Sequence, residues 1–67
     1  MSPRRLNTMV KTLRIAQGLS QRELGKRVGV SDVYITLLET GQRKNPSLAV
    51  LKKLAKVLKV TVAELVQ

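Results

Sequence analysis

Apolar residues recur along this chain at helical spacing. Leu6, Val10 and Leu13, continuing to Ala16 or Gln17, trace one face of a first segment, and Leu48, Leu51, Leu54 or Ala55, and Leu58 trace one face of a later one. No window of four or more residues alternates cleanly enough to suggest a strand. Gly18, Gly29 and Gly41 stand between the apolar stripes, each placed to end a helix in the left-handed conformation. The pattern predicts five helices, at about 3–17, 21–28, 32–40, 48–58 and 62–66. The expected fold is therefore all-α, with the pooled apolar faces forming one core.

The helix starts carry their own marks. Ser2 precedes Pro3, an N-cap followed by proline at the first helical position. Ser20 with Glu23, and Thr61 with Glu64, are spaced as capping boxes, in which hydroxyl and carboxylate each satisfy a backbone donor left free at the helix start. Ser31 and Ser47 are simpler N-cap candidates. Leu19 with Leu24, Val30 with Ile35, and Val60 with Leu65 flank three of these caps at the spacing of a hydrophobic staple.

Composition narrows the function. A chain of 67 residues is one small domain, 1–67, with no linker or internal repeat, and it ends within the last expected helix, so no appended effector domain is expected. Histidine and cysteine are absent, which removes disulfides, the usual zinc sites, the commonest general base and the best thiol nucleophile. No metal or cofactor site and no enzyme chemistry is expected. No apolar run approaches the roughly 18 residues of a membrane span, and no secretory leader is visible, which points to a reducing, cytoplasmic compartment.

The charge is lopsided: 13 Lys and Arg oppose 4 Asp and Glu, a formal net charge of +9. Such a balance suits nucleic acid, where neutralising phosphates releases counterions. It also suits an anionic membrane surface, or mere solubility of a small helical domain. Residues 47–60 taken alone have the amphipathic look of a membrane-active peptide. Within a folded core, Lys52, Lys53, Lys56 and Lys59 become a solvated flank or distant phosphate attractors.

The informative stretch runs from Leu19 to Gly41. It holds two short helices joined by Gly29-Val30-Ser31, with Gly25 as the small residue where they touch and Leu24, Val28, Val30, Ile35 and Leu38 as apolar anchors. The second helix keeps Ser31, Asp32, Val33, Thr36, Leu37 and Thr40 for another face, with Tyr34 beside it. Here the chain resembles the Xre-type helix-turn-helix domains of phage repressors and Cro. The resemblance runs through Val10-Lys11-Thr12-Leu13-Arg14, Gly18-Leu19-Ser20-Gln21, Glu23-Leu24, Gly29-Val30-Ser31 and Ile35. It continues through Glu39, Gly41, Asn45-Pro46-Ser47-Leu48, Leu51, Leu54-Ala55, Leu58, Val60 and Leu65.

That resemblance implies a five-helix lambda-repressor-like fold and double-stranded DNA as partner. The helix at 32–40 would be the recognition helix, entering the major groove N-terminus first. Ser31, Asp32, Val33, Thr36 and Leu37 would then face base edges, while Ser20, Gln21, Tyr34, Arg43, Lys44 and Ser47 would hold phosphates. Arg14 and Glu39 match a pair that commonly joins the first and third helices. Arg4 and Arg5 form either a basic arm to DNA or the first turn of a helix.

Two departures stand out. Gly25 replaces the family's usual alanine, so Gly25→Ala is expected to raise the melting temperature by restoring helix propensity. On the reading face, Asp32, Val33 and Leu37 replace the usual amide and basic side chains. Asp can accept from cytosine N4, and Val and Leu can pack on thymine methyls. Asp32 is also the one carboxylate with no evident structural task.

The reading that follows is a sequence-specific transcriptional regulator of bacterial or phage type, cytoplasmic and nucleoid-associated. It would bind a pseudo-palindromic operator as a homodimer joined through Val62, Leu65 and Val66, and Leu65→Lys would leave a monomer. The alternative is a protein-interaction module, such as an antitoxin holding its toxin partner on the Val33–Leu37 face.

Overall fold

The computed structural model describes residues 3–43 and 45–66, the side chains from residue 6 onward. Ser2, Lys44 and the side chains of Arg4 and Arg5 lie outside the described residues. Five helices follow one another: α1 (Pro3–Ala16), α2 (Gln21–Val28), α3 (Asp32–Thr40), α4 (Leu48–Leu58) and α5 (Val62–Val66). The described residues contain no strand. Helix α2 packs on α3 and α4, while α1 crosses α3, α4 and α5.

Each start is fixed by local chemistry. In α2 the Glu23 N–H donates to Ser20 Oγ at 3.0 Å, and the Ser20 N–H donates to Glu23 Oε1 at 2.9 Å. That second bond, made by the Ser20 backbone, is the main reason the Glu23 carboxyl is held below its ordinary pKa. Thr61 and Glu64 repeat the reciprocal pair at α5, at 3.0 and 3.1 Å. Ser31 and Ser47 accept from the N–H groups of Tyr34 and Val50.

The ends are less uniform. Gly29 and Gly41 take left-handed φ values of 88° and 86°, as their positions suggested. Helix α4 ends on Lys59, left-handed at φ 63° although it carries a side chain. It is held there because the Val60 N–H reaches back to the Ala55 carbonyl at 2.9 Å.

The stripes predicted from spacing are the core. Val10, Leu24, Ile35, Leu38, Leu54 and Leu65 have no exposed surface, and Leu6, Val28 and Leu58 are nearly as deep. The α4 stripe begins one turn later than its spacing implied: Leu48, on the first turn at the edge of the stripe, is 60 % exposed. In α1 the stripe likewise stops at half-buried Leu13, leaving Ala16 and Gln17 in solvent.

Gly25 overturns the expectation attached to it. A Cβ there would lie 2.7 Å from the Val30 carbonyl oxygen and 3.2 Å from both carbonyl atoms of Ser31. The same residue's carbonyl accepts from the Gly29 and Val30 N–H groups at 2.8 and 2.9 Å. The α2–α3 turn is thus drawn against α2 backbone to backbone, and no flexible side chain can swing aside. Overpacking of this kind costs about 1–3 kcal/mol, more than the roughly 0.5–1 kcal/mol that alanine gains in a helix interior. Gly25→Ala is therefore expected to lower the thermal midpoint by several degrees in a circular dichroism melt, and an unchanged or higher midpoint would refute the close approach.

Candidate nucleic-acid interface

Helix α3 is braced from behind and open in front. Ile35 and Leu38 anchor it in the core, while Ser31, Asp32, Val33, Thr36 and Thr40 are exposed and Leu37 is half-buried. Val33 is 61 % exposed, the largest such value among the big apolar side chains described. Asp32 has a structural task after all: its Oδ1 accepts the Val33 N–H at 2.9 Å, and a carboxylate at a helix start is favoured by the helix dipole.

The brace is a chain of polar side chains. Arg14 of α1 and Glu39 of α3 meet with Nε to Oε2 at 2.6 Å and Nη2 to Oε1 at 3.1 Å. Arg14 also donates from Nη1 to the Leu19 carbonyl at 2.8 Å, tying in the loop before α2. The two side chains are 12 % and 3 % exposed, and this is the one ion pair among the described residues. Glu39's hydrogen bond is the chief reason the Arg14 pKa is raised. Gln21, at the start of α2, donates from Nε2 to Glu39 Oε1 at 3.1 Å and accepts from the Thr36 hydroxyl at 2.7 Å. Thr36 reaches the Asp32 carbonyl as well, at 3.1 Å. One network therefore joins α1, α2 and the exposed face of α3.

Around that face stand the residues expected to meet phosphate. Ser20 and Ser47 use their hydroxyl oxygens as caps, which leaves each O–H to donate. Gln21 spends both amide atoms inside, with one N–H to spare. Arg43, just past α3, lies over the Tyr34 ring with its guanidinium carbon 5.0 Å from the centroid, a cation–π arrangement that holds a flexible cation in place. Lys44 falls outside the described residues. Arg22, exposed beside Gln21, was not singled out from sequence, where only its adjacency to Gln21 could have marked it.

The expected dimer surface does not survive intact. Leu65 has no exposed surface within a single chain, so it is core and cannot meet a second copy; Val62 and Val66 are half-exposed. Sequence also gave no sign of Asn7, which is buried with Oδ1 unpartnered and Nδ2 3.0 Å from the point a Gly41 Cβ would occupy.

All four carboxylates are now accounted for: Glu23 and Glu64 in caps, Asp32 at the start of α3, and Glu39 in the brace. The described residues hold no cluster of acidic side chains suited to a metal, and no helix among them is long and apolar enough to cross a membrane.

Two short helices packed together and joined by a tight turn, the second with an exposed face, define a helix-turn-helix domain. A helix-turn-helix family model matches residues 10–65, and the chain belongs to the Xre-type family of helix-turn-helix DNA-binding domains. An uncharacterized HTH-type transcriptional regulator of Archaeoglobus fulgidus is 37 % identical over 60 residues, 90 % of this chain and 84 % of that protein. Another, from Coxiella burnetii, is 34 % identical over 61 residues; the match covers 91 % of this chain but only 28 % of the Coxiella protein. Among solved structures, the biofilm master regulator SinR in complex with DNA superposes with a TM-score of 0.87 at 32 % identity, covering 92 % of this chain and 98 % of that one. SinR, from Bacillus subtilis, has also been solved in complex with the SinI protein.

Proposed function

We propose that residues 1–67 act as the sequence-reading unit of a transcriptional regulator that binds duplex DNA as a homodimer on a pseudo-palindromic operator in the cytoplasm. One observation carries this reading: α3 is locked from behind by the Arg14–Glu39–Gln21 network while its outer face stays exposed. Ser31, Asp32, Val33, Thr36 and Leu37 meet base edges, with Thr36 held in register by Gln21. Ser20, Gln21, Tyr34, Arg43, Lys44 and Ser47 hold the phosphates on either side. Asp32 accepts from cytosine, and Val33 and Leu37 pack on thymine methyls. Contact between the two copies runs through Val62 and Val66, the larger apolar side chains of α5 that one chain leaves half-exposed.

The test is selection of bound duplexes from a random library at about 150 mM salt, an ionic strength at which exposed charges are largely screened beyond about 8 Å. An inverted repeat with half-site centres about 34–36 Å apart is the expected result. Affinity for the selected site should fall with salt at a log–log slope near −0.9 per phosphate contacted. A flat salt response with no enriched sequence would overturn the reading. It would give the exposed Val33–Leu37 face to a protein partner, such as a toxin held by its antitoxin.

A further inference from the structure

A second basic feature lies away from α3. Arg27 of α2 and Lys53, Lys56 and Val57 of α4 line a groove of about 470 Å³. A helix turns about 100° per residue, so Arg27 stands about 200° round α2 from Gly25, whose Cα presses on the α2–α3 turn. The groove therefore lies between α2 and α4, off the Gly25 contact and bordering the Gly29 end of the turn. Lys53 reaches across it, with Nζ 3.7 Å from the point a Gly29 Cβ would occupy.

None of the three cations forms an ion pair among the described residues, although the Glu23 carboxylate lies within electrostatic reach of Arg27. Glu23, one turn before Arg27, holds the Ser20 cap through Oε1 alone, and Glu39 is held by Arg14. Gathering three like charges around a concave site is unfavourable in the free domain, and the floor between them is the aliphatic side chain of half-buried Val57. We propose that this groove binds an acidic protein segment, one aliphatic side chain lying on Val57 with carboxylates before and after it. Arg27 can grip a carboxylate through two parallel N–H bonds, and Lys53 and Lys56, one turn apart, take the others. A duplex backbone offers phosphates and sugar edges but no branched aliphatic side chain to cover the floor, and a groove of about 470 Å³ has room for several side chains. A segment bound here leaves the outer face of α3 uncovered.

The probe is a fluorescein-labelled peptide of twelve glutamates with one central leucine, followed by fluorescence anisotropy against the intact chain. Three comparisons accompany it: the same peptide with serine for leucine, a random-sequence duplex, and a charge-matched control variant, Lys11→Glu/Lys59→Glu. Lys53→Glu/Lys56→Glu is expected to weaken the leucine peptide about tenfold more than the control variant does. Serine for leucine is expected to cost at least about fivefold. Duplex affinity should fall equally in both variants. Circular dichroism serves to check that both double variants, at exposed positions, remain folded. Equal peptide loss in the two variants, equal binding of the serine peptide, or no binding by the parent chain would each overturn the proposal. A selective loss of duplex affinity in Lys53→Glu/Lys56→Glu would do so too, and would assign the groove to DNA.

Discussion

Glu39→Ala is expected to remove about 3–5 kcal/mol of stability, the usual result when one member of a buried ion pair is deleted. A domain of this length has only about 3–10 kcal/mol in total, taking roughly 0.05–0.15 kcal/mol per residue. The variant should therefore be largely unfolded, or within reach of it, at room temperature. The cost does not come from a strong attraction that is lost. It comes from the Arg14 guanidinium, at the end of a side chain only 12 % exposed, which retains only the Leu19 carbonyl as partner. Urea unfolding followed by circular dichroism measures the effect, and a midpoint equal to the parent's would show that the pair contributes nothing in solution. The double variant Arg14→Met/Glu39→Leu separates the two contributions. It should recover much of the lost stability, since two apolar side chains need no partner. Gln21 would lose its acceptor on Glu39, so Thr36 would be held less firmly and DNA affinity should remain reduced.

Leu65→Lys is expected to abolish cooperative folding, not to release a folded monomer. Truncating a buried leucine to alanine already costs about 2–5 kcal/mol, and lysine adds an unpaired charge to an apolar site. No sigmoidal thermal transition should be seen above 20 °C; a cooperative melt from a monomeric variant would return Leu65 to the dimer surface. The proper probes of self-association are Val62→Lys and Val66→Lys, where half-exposed side chains can change with little loss of stability. Sedimentation of these two against the parent chain reads the dimer without confounding it with the fold.

The helices were legible because their limits are local. Ser20, Ser31, Ser47 and Thr61 act within three residues of themselves, and glycine ends three of the helices, so boundaries came out to within a residue. The Lys59 ending had no such mark, since lysine rarely adopts a left-handed conformation. Leu65 is core, as its staple spacing with Val60 implies, and not the dimer contact that its place in an apolar run suggests. In a helix as short as α5, counting apolar residues does not reveal which of them the rest of the chain covers. Gly25 was located correctly but its consequence had the wrong sign, because the Val30 carbonyl is brought to it by the path of the turn, which no spacing rule describes. The Arg14–Glu39–Gln21 network joins residues far apart in the chain and was visible only through family resemblance. The groove, whose walls come from α2 and α4, left no trace in any local pattern.

The backbone contact at Gly25 also bears on how such a domain can change over time. Because the pose of α3 is set by main chain against main chain, and by Glu39 from behind, Val33 takes no part in keeping it there and Asp32 contributes only its single bond to the neighbouring N–H. They resemble movable type in a fixed frame: new letters can be set at these two positions while the frame stays as it was. Thr36 is the exception, since its hydroxyl is tied to Gln21. Drift in preferred sequence should thus run unevenly along one helix, quickly at its first turn and slowly at the position locked to its neighbour.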